Sequence, residues 1–261
     1  MSSLKPIFIE ARDLPDAWHQ CVFSIITQGN ARKRKIDQGS YEGEYRLEFD
    51  YITIHITHPG TRSLLPEIPS GLGIPNPVES MEYAEHYGTR YFMTSEKEEN
   101  EQYTYGERII AALLQPIHHI GIKHTFLKDF KDRTVNQMEQ VIARYKKYGP
   151  GNNQLIMQVG QPADIMLKDP PCLRHIDTRI EDGKLHFIVY FRSWDLWSGF
   201  PANLVALQLM KEHMSREIGV EDGEMICSSK GLHLYGYTWE IAGKRRGITE
   251  GEMKLLLEGL K

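Results

Sequence analysis

The chain has 261 residues, of which 41% are hydrophobic, 25% charged and 10% aromatic, as in soluble globular proteins. A formal net charge of −4 argues against a general binder of nucleic acids, although it allows a small phosphorylated ligand that needs only local cations. Three cysteines are too few for a disulfide framework, the first residues lack the apolar run of a signal peptide, and no apolar stretch is long enough for a membrane span. We therefore expect a cytoplasmic protein with one domain over residues 1–261.

The first half of the chain combines predicted helices with loops. Apolar residues recur at helical spacing in four segments, whereas one segment alternates apolar and polar residues as a strand does. The predicted helices cover 16–29, 78–93, 105–117 and 134–148, and the predicted strand covers 44–58. Between them lie a basic run at 32–35, a proline-rich loop at 59–77 and an acidic surface turn at 95–102.

The second half is richer in strands. Predicted strands cover 154–159, 173–180, 185–193, 224–228 and 232–235, with a hairpin turn at 181–183 and a break at 169–172. Predicted helices cover 200–218 and 249–259. Because the strands come in runs rather than in strict alternation with helices, the pattern favours an α+β fold.

Cys172 follows two prolines, Pro170 and Pro171, which restrict the backbone in front of it. A thiol held in this way can face a pocket and act as a nucleophile. A buried structural cysteine would show the same pattern, so this motif alone leaves both interpretations open.

Polar residues also stand among aromatic ones after the strand at 185–193. Arg192 and Ser193 together suit a phosphate group, because a guanidinium and a hydroxyl both donate to its oxygens. Asp195 and Asn203 need hydrogen-bond partners if they are buried. Either they face a ligand, or Asn203 caps a helix and Asp195 pairs with Arg192.

His233 and Tyr235 alternate on one predicted strand, so their side chains share a face. They could bind a sugar hydroxyl together, or they could form a cross-strand polar pair of purely structural importance.

Together, these residues resemble the thymidylate synthase family, which includes the pyrimidine nucleotide hydroxymethylases. The matching composite is Pro171-Cys172, then Arg192-Ser193-x-Asp195-x3-Gly199-x-Pro201-x-Asn203, then His233-x-Tyr235. The 20 residues from Cys172 to Arg192 and the 30 from Asn203 to His233 are similar to the family's spacings. The resemblance covers 134–240 most closely, and Tyr105-Gly106 resembles the family's Tyr-Gly pair in front of a helix.

The resemblance implies an α+β fold with a large mixed β-sheet flanked by helices, and a homodimer packed sheet to sheet. It also implies a reaction, the transfer of a one-carbon unit to C5 of a pyrimidine nucleoside monophosphate. The donor would be 5,10-methylenetetrahydrofolate or a tetrahydromethanopterin analogue. Conversion of dUMP to dTMP is the leading case, and neither a nucleic acid nor a membrane is an expected partner.

The resemblance also implies roles for the matching residues. Cys172 would add to C6 of the base as a thiolate, and Tyr105 would belong to the same catalytic group. Arg192 and Ser193 would bind the phosphate, and Arg192 would also lower the pKa of the thiol. Asn203 would bind N3 and O4 of the base, and His233 and Tyr235 would bind the sugar. Asp195 would contact the pterin. In deoxycytidylate hydroxymethylases the position of Asn203 is an Asp, so Asn203 favours uracil.

Two further roles fall outside the matching composite. Glu82, with Glu79 as the second candidate, would be the general acid/base near O4, unless it is an exposed helix carboxylate. Arg34, or Arg32 beside it, would be the family's mobile phosphate-binding arginine, unless the basic run is a solvated surface.

Several departures from the family pattern affect the expected product. The family's two partner-subunit arginines align with Asn153-Gln154, for which Arg144, Lys146 or Lys147 could compensate. The folate-side tryptophans have no counterpart in 93–103, and 251–261 predicts a helix in place of an apolar tail. In the family the tryptophans and the apolar tail help to exclude water from the site. Their absence here makes hydroxymethylation of CMP, dCMP or dUMP the alternative reaction.

The pairs His118-His119 and His55/His58 lack a third ligand at suitable spacing, so no metal is expected.

Overall fold

The structure is a computed structural model that describes residues 3–27, 29–39, 41–99, 101–113 and 134–259. Its strands are β1 Pro6–Ala11, β2 Arg32–Lys35, β3 Tyr45–Glu48, β4 Tyr51–Ile56, β5 Ala112–Leu113, β6 Thr134–Val135, β7 Ile156–Gln158, β8 Leu173–Glu181, β9 Lys184–Phe191, β10 Trp194–Asp195, β11 Glu221–Ser229 and β12 Leu232–Tyr235. Its helices are α1 Leu14–Ile25, α2 Met81–Met93, α3 Tyr105–Ile110, α4 Gln137–Tyr148, α5 Gly199–Ile218, α6 Trp239–Arg246 and α7 Glu250–Gly259.

The largest sheet has six strands in the order β1-β4-β11-β9-β8-β7. The pairs β1–β4 and β9–β11 are parallel and the other pairs are antiparallel, so the sheet is mixed. A second sheet has the order β10-β12-β3-β2, and β5 pairs with β6. The predicted α+β class with a large mixed sheet flanked by helices is therefore confirmed.

The core lies on the helix-covered side of the six-stranded sheet. Helix α5 is buried around most of its circumference in its first half, as expected of a central helix. It crosses α2 closely at Gly88, where a Cβ atom would lie 3.1 Å from the Ala206 Cα. The glycine thus allows α2 to approach α5 closely.

The predicted strand over 44–58 is wrong in one respect, because this segment forms two strands in two different sheets. β3 pairs with β2 and β12, whereas β4 pairs with β1 and β11. The separation occurs at Asp50, whose carboxylate accepts from the Lys5 amide at 3.1 Å, from Arg32 at 2.8 Å and from Arg34 at 2.8 Å. This polar junction fixes the chain where it passes from one sheet to the other.

Other boundaries also differ from the sequence prediction. Helix α3 ends at Ile110, where the chain enters the short strand β5, and the predicted continuation over 114–117 lies outside the described residues. The sequence analysis missed β1 and α6, and it treated β2 only as a basic run. Within the described ranges, no helix combines the length and apolarity needed to cross a bilayer.

Candidate active site

Cys172 lies half-buried at the start of β8, where backbone contacts fix it on both sides. Its carbonyl oxygen accepts from the Arg192 amide at 2.8 Å, and the amide of the next residue, Leu173, donates to the Tyr105 hydroxyl at 3.3 Å. The two preceding prolines limit backbone freedom further. The thiol is therefore presented from a rigid position.

The surroundings of Cys172 favour the neutral thiol in the free chain. Burial raises the pKa of Cys172, and this effect outweighs Arg192, the cation that lowers the pKa most. Arg174 and Arg46 lower the pKa as well, while Asp169 raises it. Formation of the thiolate thus depends on how closely these cations approach the sulfur.

The Arg192 guanidinium braces the loop that carries Cys172. Its Nε donates to the Pro170 carbonyl at 3.1 Å, and its Nη2 donates to the same oxygen and, at 2.9 Å, to Asp169 Oδ1. Arg192 therefore pairs with Asp169, and the alternative of an ion pair with Asp195 is wrong. Ser193 is half-buried next to Arg192.

The four-stranded sheet gathers polar side chains on one face. Its register aligns Asp195 with His233, His233 with Glu48 and Glu48 with Arg32, and it also aligns Tyr235 with Arg46 and Arg46 with Arg34. Because directly paired residues project to the same side and alternate residues share a face, one surface collects the whole set. The members are Asp195, His233, Tyr235, Glu48, Arg46, Arg32 and Arg34.

Glu48 and Arg46 are site residues that the sequence analysis missed. Glu48 Oε2 contacts Arg46 Nη2 at 2.6 Å, and Glu48 Oε1 contacts Arg34 Nε at 3.0 Å. Burial raises the pKa of Glu48, while the two arginines lower it. Arg46 Nε is buried and, among the described residues, has no hydrogen-bond partner. Alternation in 44–58 gave these residues a shared face, but only the pairing with β12 places them beside His233.

Gly231 allows this sheet to approach the segment of Arg192 and Ser193. A Cβ atom there would lie 3.2 Å from the Arg192 carbonyl oxygen and 3.5 Å from both Glu48 Oε2 and the Ser193 Cα. The absence of a side chain thus allows three parts of the chain to converge.

His233 is buried and neutral. Its Nδ1 donates to the Gly231 carbonyl at 2.8 Å, while its Nε2 has no hydrogen-bond partner in the described part of the chain. Burial lowers the pKa of His233 to about 3. Because Nδ1 carries the proton, Nε2 is a hydrogen-bond acceptor. The Tyr235 ring packs edge-on against the imidazole with the centroids 4.5 Å apart, so the predicted neighbours do lie together.

Asn203 is hydrogen-bonded to two other residues, with one bond to its oxygen and one from its nitrogen. Trp194 Nε1 donates to Asn203 Oδ1 at 2.8 Å, and Asn203 Nδ2 donates to the Tyr87 hydroxyl at 2.8 Å. The alternative of a helix-capping Asn203 is wrong, because α5 begins at Gly199 and Asn203 lies inside it. The Asp195 carboxylate accepts from the amides of Trp197, Ser198 and Gly199 at 3.2, 3.1 and 2.9 Å.

Helix α2 supplies tyrosines to the site rather than the expected carboxylate. Glu79 and Glu82 are exposed, whereas Tyr87 reaches Asn203. The Tyr87 ring stacks on Tyr91 with the centroids 5.4 Å apart, and Tyr91 packs edge-on against Tyr105. The tyrosines at 83, 87 and 91 have i, i+4 spacing, which was the available sequence signal for this cluster.

The remaining candidates lie apart from this cluster. Lys146 contacts Glu217 at 3.6 Å, Lys147 lies over the Tyr148 ring, and Asn153-Gln154 is exposed. His55 contacts Glu224 at 2.7 Å and His58 contacts the Thr57 hydroxyl, while His118-His119 lies outside the described residues.

The fold and site define an α+β protein with a half-buried cysteine near several arginines, a class suited to covalent chemistry on an anionic substrate. Residues 81–248 match the family model described as thymidylate synthase, and the chain belongs to that family. Members of the family are one-carbon transferases that act on a nucleotide with a folate co-substrate.

Known relatives are similar over most of the chain. A protein of Methanosarcina acetivorans named "Putative thymidylate synthase" is 25% identical over 233 residues, which are 89% of this chain and 91% of that protein. A protein of the same name from Methanothermobacter thermautotrophicus is 26% identical over 90% of this chain and 96% of its own length. A "Thymidylate synthase" of Listeria monocytogenes is 33% identical over 109 residues, which are 41% of this chain and 34% of that protein.

Proposed function

We propose that the chain transfers a one-carbon unit from 5,10-methylenetetrahydrofolate to C5 of a pyrimidine nucleoside monophosphate, and that dUMP becomes dTMP. One observation carries this proposal. The Cys172 carbonyl accepts from the Arg192 amide, the next amide, Leu173, donates to Tyr105, and Cys172 lies near enough to Tyr87, the tyrosine that binds Asn203, for a thiolate to raise the Tyr87 pKa. The proximity of a nucleophile, a cation and the proposed base-reading amide supports the proposal.

In the proposed reaction, the Cys172 thiolate forms a bond to C6 and C5 becomes an enolate-like nucleophile. C5 attacks the methylene carbon of the folate, and loss of the C5 proton and of the pterin nitrogen leaves an exocyclic methylene. Hydride from the tetrahydrofolate reduces this methylene to a methyl group, dihydrofolate leaves, and Cys172 is eliminated. Arg192 assists by stabilising the thiolate when its guanidinium turns from Asp169 and Pro170 toward the sulfur and the substrate.

We assign the nucleotide phosphate to the cations of the four-stranded sheet. Arg46 and Arg34 are oriented by Glu48, and Arg46 Nε, which has no partner among the described residues, is a donor available to an anion. With Arg192 and Ser193 they would stand in for the partner-subunit arginines that this sequence lacks. The neighbouring acceptor, His233 Nε2, and the Tyr235 hydroxyl suit a sugar hydroxyl.

Hydroxymethylation is the second candidate, and the tyrosine cluster favours it. Tyr87, Tyr91 and Tyr103 bring hydroxyl groups to the site, whereas the family's folate-side tryptophans have no counterpart in 93–103. Such groups bind water, and water added to the exocyclic methylene would release tetrahydrofolate and leave a hydroxymethyl group. A tetrahydromethanopterin donor is compatible with either outcome.

Product analysis separates the candidates. The enzyme is incubated with methylenetetrahydrofolate and dUMP, UMP, dCMP or CMP, each labelled with tritium at C5. We expect tritium release from dUMP with equal formation of dihydrofolate, and loss of both in Cys172→Ala. Release without dihydrofolate would establish hydroxymethylation, and release that survives in Cys172→Ala would overturn the covalent mechanism.

We also propose a homodimer formed by the outer face of the six-stranded sheet. The described helices cover the opposite face, and the outer face carries exposed apolar side chains on several strands. These include Phe8, Tyr51, Ile156 and Ile188. An extended sheet face with such residues is typical of an interface.

A further inference from the structure

The proposed base-reading residue is an asparagine, and an asparagine alone does not distinguish uracil from cytosine. Its amide offers one acceptor and one donor, and a half-turn about Cβ–Cγ exchanges them. In one orientation the amide complements N3–H and O4 of uracil. In the other it complements N3 and the N4 amino group of cytosine. Selectivity therefore requires a neighbour that fixes the orientation.

Trp194 is such a neighbour. Its indole Nε1 can only donate, and it lies 2.8 Å from the atom of Asn203 that must therefore be the carbonyl oxygen. A flipped amide would place NH2 against N–H in a buried contact. Burial makes such a contact costly, because neither group could turn to water.

The indole itself is held in place by aromatic packing. Its ring is nearly parallel to that of Phe191, with centroids 3.8 Å apart and an angle of 7°, and it packs against Phe200 at 4.6 Å. Trp194 is only 2% exposed. The donor direction is thus set by the core rather than by the ligand.

Tyr87, the second partner of Asn203, has no such preference. Its hydroxyl accepts from Nδ2 in the observed orientation and could donate to a carbonyl oxygen in the flipped one. Burial raises the pKa of Tyr87, so the phenol keeps its proton in either case. Of the two residues that hold Asn203, only Trp194 distinguishes the orientations.

We propose that Trp194 is the positioning residue that makes this pocket select uracil over cytosine, by locking the Asn203 amide in the orientation that accepts N3–H. This inference rests on the proposed function, since it concerns base choice in the same pocket. Cytosine would present an acceptor to the locked carbonyl oxygen and a donor to the locked amide. Both contacts are repulsive, and a site built for hydrogen bonds rejects a mismatched ligand strongly.

The test compares dUMP and dCMP binding by calorimetry in the unaltered chain, Trp194→Phe and Tyr87→Phe. We expect the unaltered chain to prefer dUMP by about 100-fold or more. In Trp194→Phe the preference should fall about tenfold or more, mainly through tighter dCMP binding, because the amide can flip. Tyr87→Phe removes one hydrogen bond without removing the lock, so its preference should stay within about threefold of the unaltered chain.

The outcomes separate this inference from the proposed function. If the unaltered chain binds neither nucleotide, the proposed function fails. If it prefers dUMP and Trp194→Phe keeps that preference, or loses affinity for both nucleotides equally, Trp194 has only a structural role and the inference is wrong. The same holds if Tyr87→Phe relaxes the preference as much as Trp194→Phe does.

A measurement on the unaltered chain covers the case in which Trp194→Phe does not fold. The indole proton of Trp194 is observed by 1H–15N NMR, after assignment of the other three tryptophans by Trp18→Phe, Trp197→Phe and Trp239→Phe. We expect slow solvent exchange with and without dUMP, because Nε1 stays bonded to Asn203 in both states. Fast exchange in the dUMP complex would show that the hydrogen bond from Trp194 Nε1 to Asn203 is broken when dUMP binds, and would overturn the inference.

Discussion

Cys172 combines a nucleophile's position with a thiol that is mostly protonated at neutral pH in the free chain. Burial raises its pKa and Arg192 opposes that shift, so removal of the Arg192 charge should raise the pKa further. We predict that the pH midpoint of Cys172 alkylation by iodoacetamide moves upward in Arg192→Ala. Arg179→Ala is a matched control, because Arg179 is exposed and pairs with Glu181.

Mass spectrometry after timed labelling at several pH values measures this midpoint. Cys21 and Cys227 are fully buried, so the label should report on Cys172. An unchanged midpoint in Arg192→Ala would contradict an electrostatic role of Arg192 at the thiol.

His233 should make the fold sensitive to acid. Its pKa is lowered from 6.5 to about 3 by burial, so the unfolded chain binds a proton that the folded chain excludes. Above pH 6.5 His233 is neutral in both the folded and the unfolded chain, so it causes no loss of stability. As the pH falls from 6.5 toward 3, the unfolded chain gains a proton at His233 and the free energy of unfolding decreases. At pH 5 the loss from this residue is about 2 kcal/mol.

Urea unfolding at pH 5 and pH 8 tests this prediction. His233→Gln cannot titrate, so its free energy of unfolding should fall less between the two pH values than that of the unaltered chain. His58→Gln is the control, since His58 is exposed just after β4. Equal pH dependence in His233→Gln and the unaltered chain would contradict a buried neutral His233.

In the structure Arg192 lies close to Cys172 and His233, and Tyr87 links Asn203 to the surroundings of Cys172. Residue spacing had identified these four residues, Cys172, Arg192, Asn203 and His233, as a set. It could not identify Arg46 or Glu48, because their position beside His233 depends on the register of two strands far apart in the chain. Residue spacing also could not show that Glu82 is exposed while Tyr87, on the same helix, reaches Asn203. That distinction depends on how α2 rotates against α5.

At the scale of elements, the start of α5 depends on Asp195. Its carboxylate accepts from the amides of Trp197 and Ser198, just before the helix, and of Gly199, the first helical residue, whose amide has no partner within the helix. We predict that Asp195→Ala lowers the free energy of unfolding by about 1–2 kcal/mol, and that Asp195→Asn, which keeps one acceptor oxygen, lowers it less. Urea denaturation measures both. Equal losses in the two variants would contradict a capping role.

Local patterns located most elements but not the way they assemble. The periodicity of 200–218 predicted α5 almost to its ends, because a long apolar helix carries a strong signal. The segment 44–58 shows the opposite case, since an uninterrupted alternation hides the junction at Asp50. The partners of Asp50 are Arg32, Arg34 and Lys5, which no local pattern connects with it.

At the scale of the whole molecule, the six-stranded sheet has one face in the core and one face toward solvent. Pairing aligns Ile226 with Ile188 across the centre of the outer face, with His55 on one side and Asp177 on the other. Ile188 is 37% exposed. A standard interface buries about 1,200–2,000 Å² in total, an area that a six-stranded face can supply from two copies.

We predict that Ile188→Glu converts the proposed dimer to a monomer. In a two-fold interface each copy would bury one new carboxylate close to Asp177, and an unpaired buried charge is strongly unfavourable. The dissociation constant should rise by about 100-fold or more, as measured by sedimentation equilibrium. Leu255→Glu is the matched control, because Leu255 is an exposed apolar residue on α7, away from the sheet. A chain that is monomeric without substitution, or an Ile188→Glu variant that dimerises as tightly as Leu255→Glu, would show that the outer sheet face is not the dimer interface.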